Sequence, residues 1–163
     1  MQRLQFWRFD NGGTRALLSV RDHLTQSGLE SSLLELVYVR VSQLNGCARC
    51  EDAHVQEAIR HGVQERLLRD LPAWQESELF SERQRAALAW AETVTEIVKT
   101  RAPDELYSEA ASRFSETELV ALTLAIALMN AFARIAIAFR SGPPPMPALV
   151  NDAALRAVTG DLR

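Results

Sequence analysis

The chain has 163 residues, of which 47% are hydrophobic and 24% are charged, and its formal net charge is −3 at pH 7. This length suits one domain with a sizeable core, and the composition is ordinary for a globular protein. The slightly acidic balance argues against a general affinity for nucleic acid or for an anionic membrane surface.

Neither a leader peptide nor a membrane span is predicted. The first residues, MQRLQFWRFDNGG, contain no long apolar run and no cleavage pattern. The most apolar stretch, 119–139, is interrupted by Asn130 and Arg134, which does not suit a membrane-spanning helix. We therefore expect a cytoplasmic protein with no membrane partner.

Apolar residues at helical spacing, separated by glycine, proline and capping residues, predict a succession of helices. The predicted helices span 13–27, 31–46, 47–61, 63–70, 82–99, 103–113, 115–140 and 148–157. Residues 72–81 should form a connecting loop, and the alternating apolar residues of 1–10 suggest an extended arm or a subunit contact. The predicted fold class is all-α, a single-domain bundle of six to eight helices with an arm at 1–12, a core at about 13–140 and a tail at 141–163.

Serine residues mark several of the predicted helix starts. Ser81 precedes one helix, Ser115-x-x-Glu118 fits a capping box at the start of the longest one, and Ser32-x-x-Glu35 fits another. The longest helix is apolar nearly all round, so it should be buried by its own fold or by a neighbour. The apolar faces of 30–46 and 115–140 exceed the needs of a monomer of this size, which indicates a homo-oligomer.

The segment 35–54, ELVYVRVSQLNGCARCEDAH, contains both cysteines of the chain, Cys47 and Cys50, in a C-x-x-C arrangement. In a reducing cytosol such a pair is more often catalytic or metal-binding than a permanent disulfide. The two cysteines lie one helical turn apart, so a disulfide between them needs little movement. Cys47 stands at a predicted helix N-terminus, where free amides and the helix dipole favour a thiolate, the form that attacks peroxides and disulfides. His54, four residues after Cys50, brings an imidazole within reach of the second sulfur.

Glu35 is predicted to join this cluster through a turn. Along a straight helix it would lie roughly 18 Å from Cys47. If the chain reverses at Gly46, the two helices form a hairpin in which Glu35 and His54 come within about one turn of each other. A buried carboxylate there would orient His54 and act as its acid or base partner. Equally, Glu35 as a capping-box residue would need no further role.

The spacing Glu35-x11-Cys47-x2-Cys50-x3-His54 resembles the active-site signature of the alkylhydroperoxidase D (AhpD-like) proteins of the carboxymuconolactone decarboxylase superfamily. The similarity extends to 71–74, 81–95 and 114–140 and covers about three quarters of the chain. The resemblance implies an all-helical fold that assembles as trimers or hexamers. It also implies a thiol peroxidase or disulfide-exchange activity without metal or flavin.

By this resemblance, Cys50 attacks a hydroperoxide or disulfide substrate and becomes a sulfenic acid, which Cys47 resolves to a disulfide. Glu35 and His54 would relay protons. A dithiol donor, such as a dihydrolipoyl or thioredoxin-type protein, would reduce the pair. The helix-terminus argument instead favours Cys47 as the more acidic and exposed thiol, so the order of attack stays open.

Three other functions compete with the peroxidase. A carboxymuconolactone decarboxylase-like reaction would need no thiol chemistry, although lactone decarboxylases of the superfamily generally lack the cysteine pair. A zinc module would use Cys47, Cys50 and His54, with Glu35 as a further candidate, but the first three are crowded on two turns of one helix. A redox sensor would change its assembly when the disulfide forms. Asn130 and Arg134 could line the site or bond across a subunit contact.

Overall fold

The computed structural model describes residues 2–9 and 11–141, and the regular structure in these ranges is entirely helical. Its α-helices are α1 (Asn11–Leu24), α2 (Ser31–Asn45), α3 (Ala48–Arg60), α4 (Glu65–Asp70), α5 (Glu82–Thr95), α6 (Ile97–Thr100), α7 (Asp104–Arg113) and α8 (Glu116–Phe139). Short 3-10 helices occur at Phe6–Arg8 and Leu71–Glu76. The all-α prediction is confirmed, while the predicted helix at 148–157 lies outside the described residues.

Helix α2 is the central element of the core. It packs against α3, α5 and α8. Its apolar residues face two clusters, one containing Val37 and Val41 and the other containing Leu36 and Val39, and all four side chains are fully buried. Burying each side chain of this size stabilises the fold by about 1.5–3 kcal/mol. The helix that carries Glu35 is therefore held on nearly all sides.

Two of the three predicted helix-start signals are confirmed. Capping boxes form between Ser81 and Gln84 at α5 and between Ser115 and Glu118 at α8. The predicted capping box of Ser32 and Glu35 is wrong. Helix α2 is capped by Glu30, which makes no side-chain capping bond, and Glu35 points to α3 instead.

Arg83 ties the starts of three helices together. Its guanidinium lies 3.0 Å from Glu30 Oε1 and 2.6 Å from Glu118 Oε1, and it also donates to the Arg113 carbonyl at 2.6 Å. A hydrogen bond from the Ser115 amide and the Arg83 guanidinium lower the pKa of Glu118. The N-termini of α2, α5 and α8 are thus fixed relative to each other by charge-assisted hydrogen bonds.

Two connections differ from the prediction. The helix expected at 82–99 stops at Thr95, and the short α6 follows it. The Thr100 hydroxyl donates to the Thr93 carbonyl at 2.8 Å, and Arg101 has a left-handed backbone with a φ of 59°. The expected loop at 72–81 instead begins with a 3-10 turn, which Pro72 in its first positions favours.

The N-terminal residues pack against the end of α8 in the same chain. The amides of Arg3 and Leu4 donate to the Phe139 carbonyl at 3.0 and 3.3 Å. Phe6 is buried and stacks on the Phe139 ring, with 6.4 Å between their centroids. The prediction of an extended arm is therefore wrong for Phe6–Arg8, which form a 3-10 turn.

Helix α8 is long and apolar enough to cross a membrane, but the core helix of a soluble protein meets the same criteria. In the fold it packs against α1, α2, α5 and α7, and ten of its residues are buried. Its outer face leaves Val120 and Leu124 60% and 45% exposed. Beyond this exposed stripe, Ile137 and Phe139 are 45% and 36% exposed, and the buried residues are fewer than half of the 24 in the helix. The expectation that the helix is buried on most sides is therefore not met within one chain, and burial by a neighbour stays a prediction.

Candidate active site

A glycine turn creates the hairpin on which the site is built. Gly46 ends α2 with a φ of 66°, the left-handed conformation that glycine adopts without steric cost. The amides of Gly46 and Cys47 donate to the carbonyls of Gln43 and Ser42, each at 3.0 Å. The reversal starts α3 at Ala48 and folds it back along α2.

Glu35 and His54 meet across this hairpin. Glu35 Oε2 lies 2.8 Å from His54 Nδ1, and both side chains are partly buried. The predicted proximity is confirmed. An ionised Glu35 accepts a hydrogen bond from Nδ1–H, which leaves Nε2 as the nitrogen that can exchange a proton with another group.

Cys47 and Cys50 form a disulfide, with their Cα atoms 5.3 Å apart. Cys47 is the N-cap of α3, as predicted, and Cys50 lies one turn into the helix. Both residues are only 4% exposed in this oxidised state. The two cysteines thus do not differ in exposure as a disulfide, and the expectation that the Cys47 thiol is the more exposed stays a prediction for the reduced form.

A cleft of about 90 Å³ opens beside Cys50 and His54. Its walls come from α1, α2, α3, α8 and the first 3-10 helix. The apolar lining residues are Phe6, Leu18, Tyr38, Ala53, Leu128, Met129, Phe132 and Ala136, and Arg21 and Glu57 add charged groups. Cys47 is not among the described residues that line it. The cleft thus offers an apolar space with one sulfur of the disulfide and an imidazole in its wall.

Tyr38 is a lining residue that the sequence analysis missed. It lies three residues after Glu35 on α2, is 4% exposed, and its ring centroid is 4.9 Å from that of His54. Burial, followed by the negative charge of Glu35, raises the pKa of the Tyr38 hydroxyl. The available signal was its i,i+3 spacing from Glu35, which places both residues on one side of the helix.

Arg49 and Glu51, which flank Cys50, are engaged with other groups. The exposed Arg49 donates to the Arg140 carbonyl at the end of α8, at 3.3 Å. Glu51 accepts a hydrogen bond from the Gln43 amide at 3.0 Å. Arg49 therefore links the start of α3 to the end of α8.

Asn130 and Arg134 form a polar network within the chain, next to the hairpin turn. Asn130 accepts from the Asn45 amide at 2.9 Å and donates to the Thr95 hydroxyl at 3.0 Å. Arg134 donates to Asn130 Oδ1 at 2.7 Å and to Asn45 Oδ1 at 3.2 Å. Neither residue is among the described residues that line the cleft. Their role here is to anchor the end of α2.

The predicted zinc ligands do not form one ligand set in this oxidised state. The two sulfurs are bonded to each other, while Glu35 and His54 are bonded as a pair. Within residues 2–9 and 11–141, no group of three or more His, Cys, Asp or Glu side chains is arranged to hold a metal ion. The arrangement is that of a disulfide-bonded cysteine pair next to a histidine–carboxylate pair.

An all-helical fold whose central hairpin carries such a C-x-x-C pair and a Glu–His pair defines an AhpD-like protein. A profile of the carboxymuconolactone decarboxylase family matches residues 13–93. The uncharacterised protein YdfG of Bacillus subtilis is 35% identical over 137 residues, which cover 84% of this chain and 93% of YdfG. The chain belongs to the carboxymuconolactone decarboxylase family, as the resemblance implied. The uncharacterised YnjA of Escherichia coli is 33% identical over 110 residues, covering 67% of this chain and 59% of YnjA.

Solved structures agree with this assignment. A protein of unknown function from Agrobacterium tumefaciens, for which an AhpD antioxidant-defence role has been suggested, superimposes with a TM-score of 0.84 at 34% identity. The match covers 89% of this chain and 99% of that one. The debrominase Bmp8, in complex with 2,3,4-tribromopyrrole, gives a TM-score of 0.67 at 20% identity, with 91% and 75% covered. This second likeness concerns the fold alone.

Proposed function

We propose that the protein is a thiol-dependent peroxidase that reduces organic hydroperoxides through Cys47 and Cys50. The observation that carries the proposal is that Cys50 and His54 share the wall of one apolar cleft. The cleft gives an organic substrate access to a redox-active sulfur, and the Glu35–His54 pair supplies an acid–base group beside it. The Agrobacterium protein, for which an AhpD antioxidant-defence role has been suggested, supports the same activity, whereas the family's name fits the decarboxylase-like alternative.

In the proposed reaction, the thiolate of reduced Cys50 attacks the terminal oxygen of R–O–O–H. An S–O bond forms as the O–O bond breaks, which gives a sulfenic acid and an alkoxide that takes up a proton to become the alcohol. Cys47 then attacks the Cys50 sulfur, and the disulfide forms as water leaves. Cys50 is assigned as the attacking residue because it lines the cleft and Cys47 does not, within the described residues.

Glu35 and His54 would act as positioning and proton-transfer residues. With Nδ1 held by Glu35, Nε2 of His54 is the atom that takes the thiol proton and returns it to the leaving oxygen. The carboxylate stabilises the imidazolium that exists between these two transfers. The same arrangement serves disulfide exchange, in which a thiolate leaving group replaces the alkoxide.

The proposed cycle closes when an external dithiol returns two electrons to the disulfide. A dihydrolipoyl or thioredoxin-type protein has the required chemistry, because a second thiol releases the mixed disulfide intramolecularly. The redox-active group is the chain's own disulfide, so the proposal involves no bound cofactor. A reducing cytoplasm would keep such a donor available, which is why we propose that location.

The first test is a count of free thiols, with the intact mass, before and after reduced protein receives one equivalent of cumene hydroperoxide. We expect loss of both thiols and of about two mass units within seconds, because forming the Cys47–Cys50 disulfide removes two hydrogens. Protein alkylated beforehand is the control. If both thiols of the unmodified protein persist, the peroxidase proposal is wrong.

Lactone decarboxylation that survives alkylation of the cysteines would favour the decarboxylase-like reaction instead.

We also propose that the protein is a homo-oligomer, a trimer or hexamer, with the exposed stripe of α8 in its interface. Val120 and Leu124 lie one turn apart on this stripe and are 60% and 45% exposed. Light scattering should give three or six times the chain mass of 18.2 kDa. Replacing both residues with aspartate should reduce this mass, because burying two unpaired charges opposes association. A monomer of the unmodified protein at micromolar concentration would contradict the proposal.

A further inference from the structure

Tyr38 places an unpaired hydroxyl in the wall of the apolar cleft. The residue is 4% exposed, and its Oη makes no hydrogen bond to any residue in the described ranges 2–9 and 11–141. The atom is not fully enclosed, since among those residues only the Ser141 hydroxyl is both sealed from solvent and unbonded. The Tyr38 hydroxyl therefore keeps some accessible surface, and its side chain lines the cleft.

The Tyr38 hydroxyl has no acceptor among the described residues, so its hydrogen bond is left for a molecule that enters the cleft. Because the atom is not sealed from solvent, that molecule can be water or a ligand. A ligand that accepts a hydrogen bond inside the cleft would satisfy the group, as the few polar groups of apolar ligand pockets commonly do.

The neighbours of Tyr38 are the groups that take part in the proposed reaction. The ring packs at 4.9 Å from the His54 ring, and Cys50 lines the same cleft. The hydroxyl remains a proton donor at neutral and moderately alkaline pH, because burial and the charge of Glu35 raise its pKa. The other ionisable groups of the lining are Arg21, His54 and Glu57.

We propose that Tyr38 is a further catalytic residue, whose hydroxyl donates a hydrogen bond to the inner oxygen of an organic hydroperoxide. This inference rests on the proposed peroxidase function. As the Cys50 thiolate takes the terminal oxygen and the O–O bond breaks, negative charge develops on the inner oxygen, and the Tyr38 hydroxyl stabilises it. Tyr38 keeps its proton; the proton that completes the alcohol comes from His54. The apolar lining holds the organic group of the substrate.

The test compares two reactions of the same sulfur in the Tyr38→Phe variant. Stopped-flow oxidation of the reduced variant by cumene hydroperoxide should be about 10- to 100-fold slower than that of the unmodified protein. Alkylation by iodoacetamide should keep its rate within about twofold, because iodide leaves and no oxygen anion develops. The loss should be the same from pH 6 to pH 9, where the hydroxyl stays protonated.

The other tyrosine of the chain provides a matched control. Tyr107 lies on α7, is 51% exposed and contacts the Trp90 ring. Its replacement by phenylalanine removes the same hydroxyl outside the cleft and should change neither rate.

The outcomes separate this inference from the function on which it rests. Equal peroxide rates for Tyr38→Phe and the unmodified protein would overturn the role of Tyr38 and leave the peroxidase intact. A parallel loss in both reactions would also overturn it, because Tyr38 would then act on the thiol and not on the leaving oxygen. Failure of the unmodified protein to react with hydroperoxide would instead remove the peroxidase proposal itself.

Discussion

Replacing Cys50 with serine is expected to abolish hydroperoxide turnover and to lower kcat/KM by at least about 10³-fold, as removal of a catalytic nucleophile typically does. A hydroxyl is a far weaker nucleophile than a thiolate at neutral pH. Cys50 is the cysteine that lines the cleft, so among the described residues no other thiol is placed there to replace it. Consumption of cumene hydroperoxide with an excess of dithiol measures the effect.

The Cys47→Ser variant distinguishes the attacking cysteine from the resolving cysteine. We expect it to react once with hydroperoxide and to stop at a Cys50 sulfenic acid, because the resolving thiol is missing. Trapping with dimedone, followed by peptide mass spectrometry, identifies the modified residue. A sulfenic acid on Cys47 of the Cys50→Ser protein, with an inert Cys47→Ser protein, would reverse the assignment. Circular dichroism of both variants checks that the helical fold is retained.

The Glu35→Gln variant is expected to lose about 100-fold in kcat/KM, which is the scale of a general acid–base contribution and a smaller loss than removal of either cysteine. The substitution keeps the size of the side chain but removes the charge 2.8 Å from His54 Nδ1. An amide cannot stabilise the imidazolium as a carboxylate does. Its NH2 group can also donate to Nδ1 and so select the wrong tautomer.

Two measurements test whether Glu35 acts through His54. ¹⁵N NMR of the imidazole should show the proton moving from Nδ1 to Nε2 in the variant. The same substitution at Glu109, an exposed residue of α7, should leave kcat/KM unchanged. If the Glu35→Gln variant keeps the kcat/KM of the unmodified protein while its His54 tautomer is altered, His54 takes no part in the chemistry.

The hairpin could be predicted because its determinants are local. Asn45-Gly46 fixes the reversal, and the number of residues on each side of the turn sets Glu35 opposite His54. The spacing of Cys47 and Cys50 likewise determines their proximity within one helical turn. A sequence pattern is sufficient where the interacting groups are joined by a short, well-defined connection.

The incorrect capping box shows where local patterns fail. Ser32 and Glu35 have the required spacing, but Glu35 bonds to His54. The chain instead enters α2 at Glu30, whose carboxylate pairs with Arg83 in a distant segment. The Ser32–Glu35 capping box is a local interaction, whereas the bonds of Glu35 to His54 and of Glu30 to Arg83 join distant residues. The spacing of residues in the sequence does not show which of these interactions forms.

Tyr38 was missed for a related reason. On α2 alone it looks like one more core side chain, because it is flanked by Val37 and Val39. Its position in a cleft becomes visible only when α1 and α8 add Leu18 and Phe132 to the lining. Helix α8 is far from α2 in the sequence, and the packing of both helices around Tyr38 is a property of the tertiary structure.

The hairpin and the cleft divide the site between separate parts of the chain. Both cysteines and the Glu–His pair lie within 35–54, whereas α1 and α8 supply much of the wall that faces them. Mutations in those two helices can reshape the space beside Cys50 and leave the bond between Glu35 and His54 in place. Evolution could therefore diversify the molecules that such a scaffold accepts while its reactive hairpin is inherited unchanged.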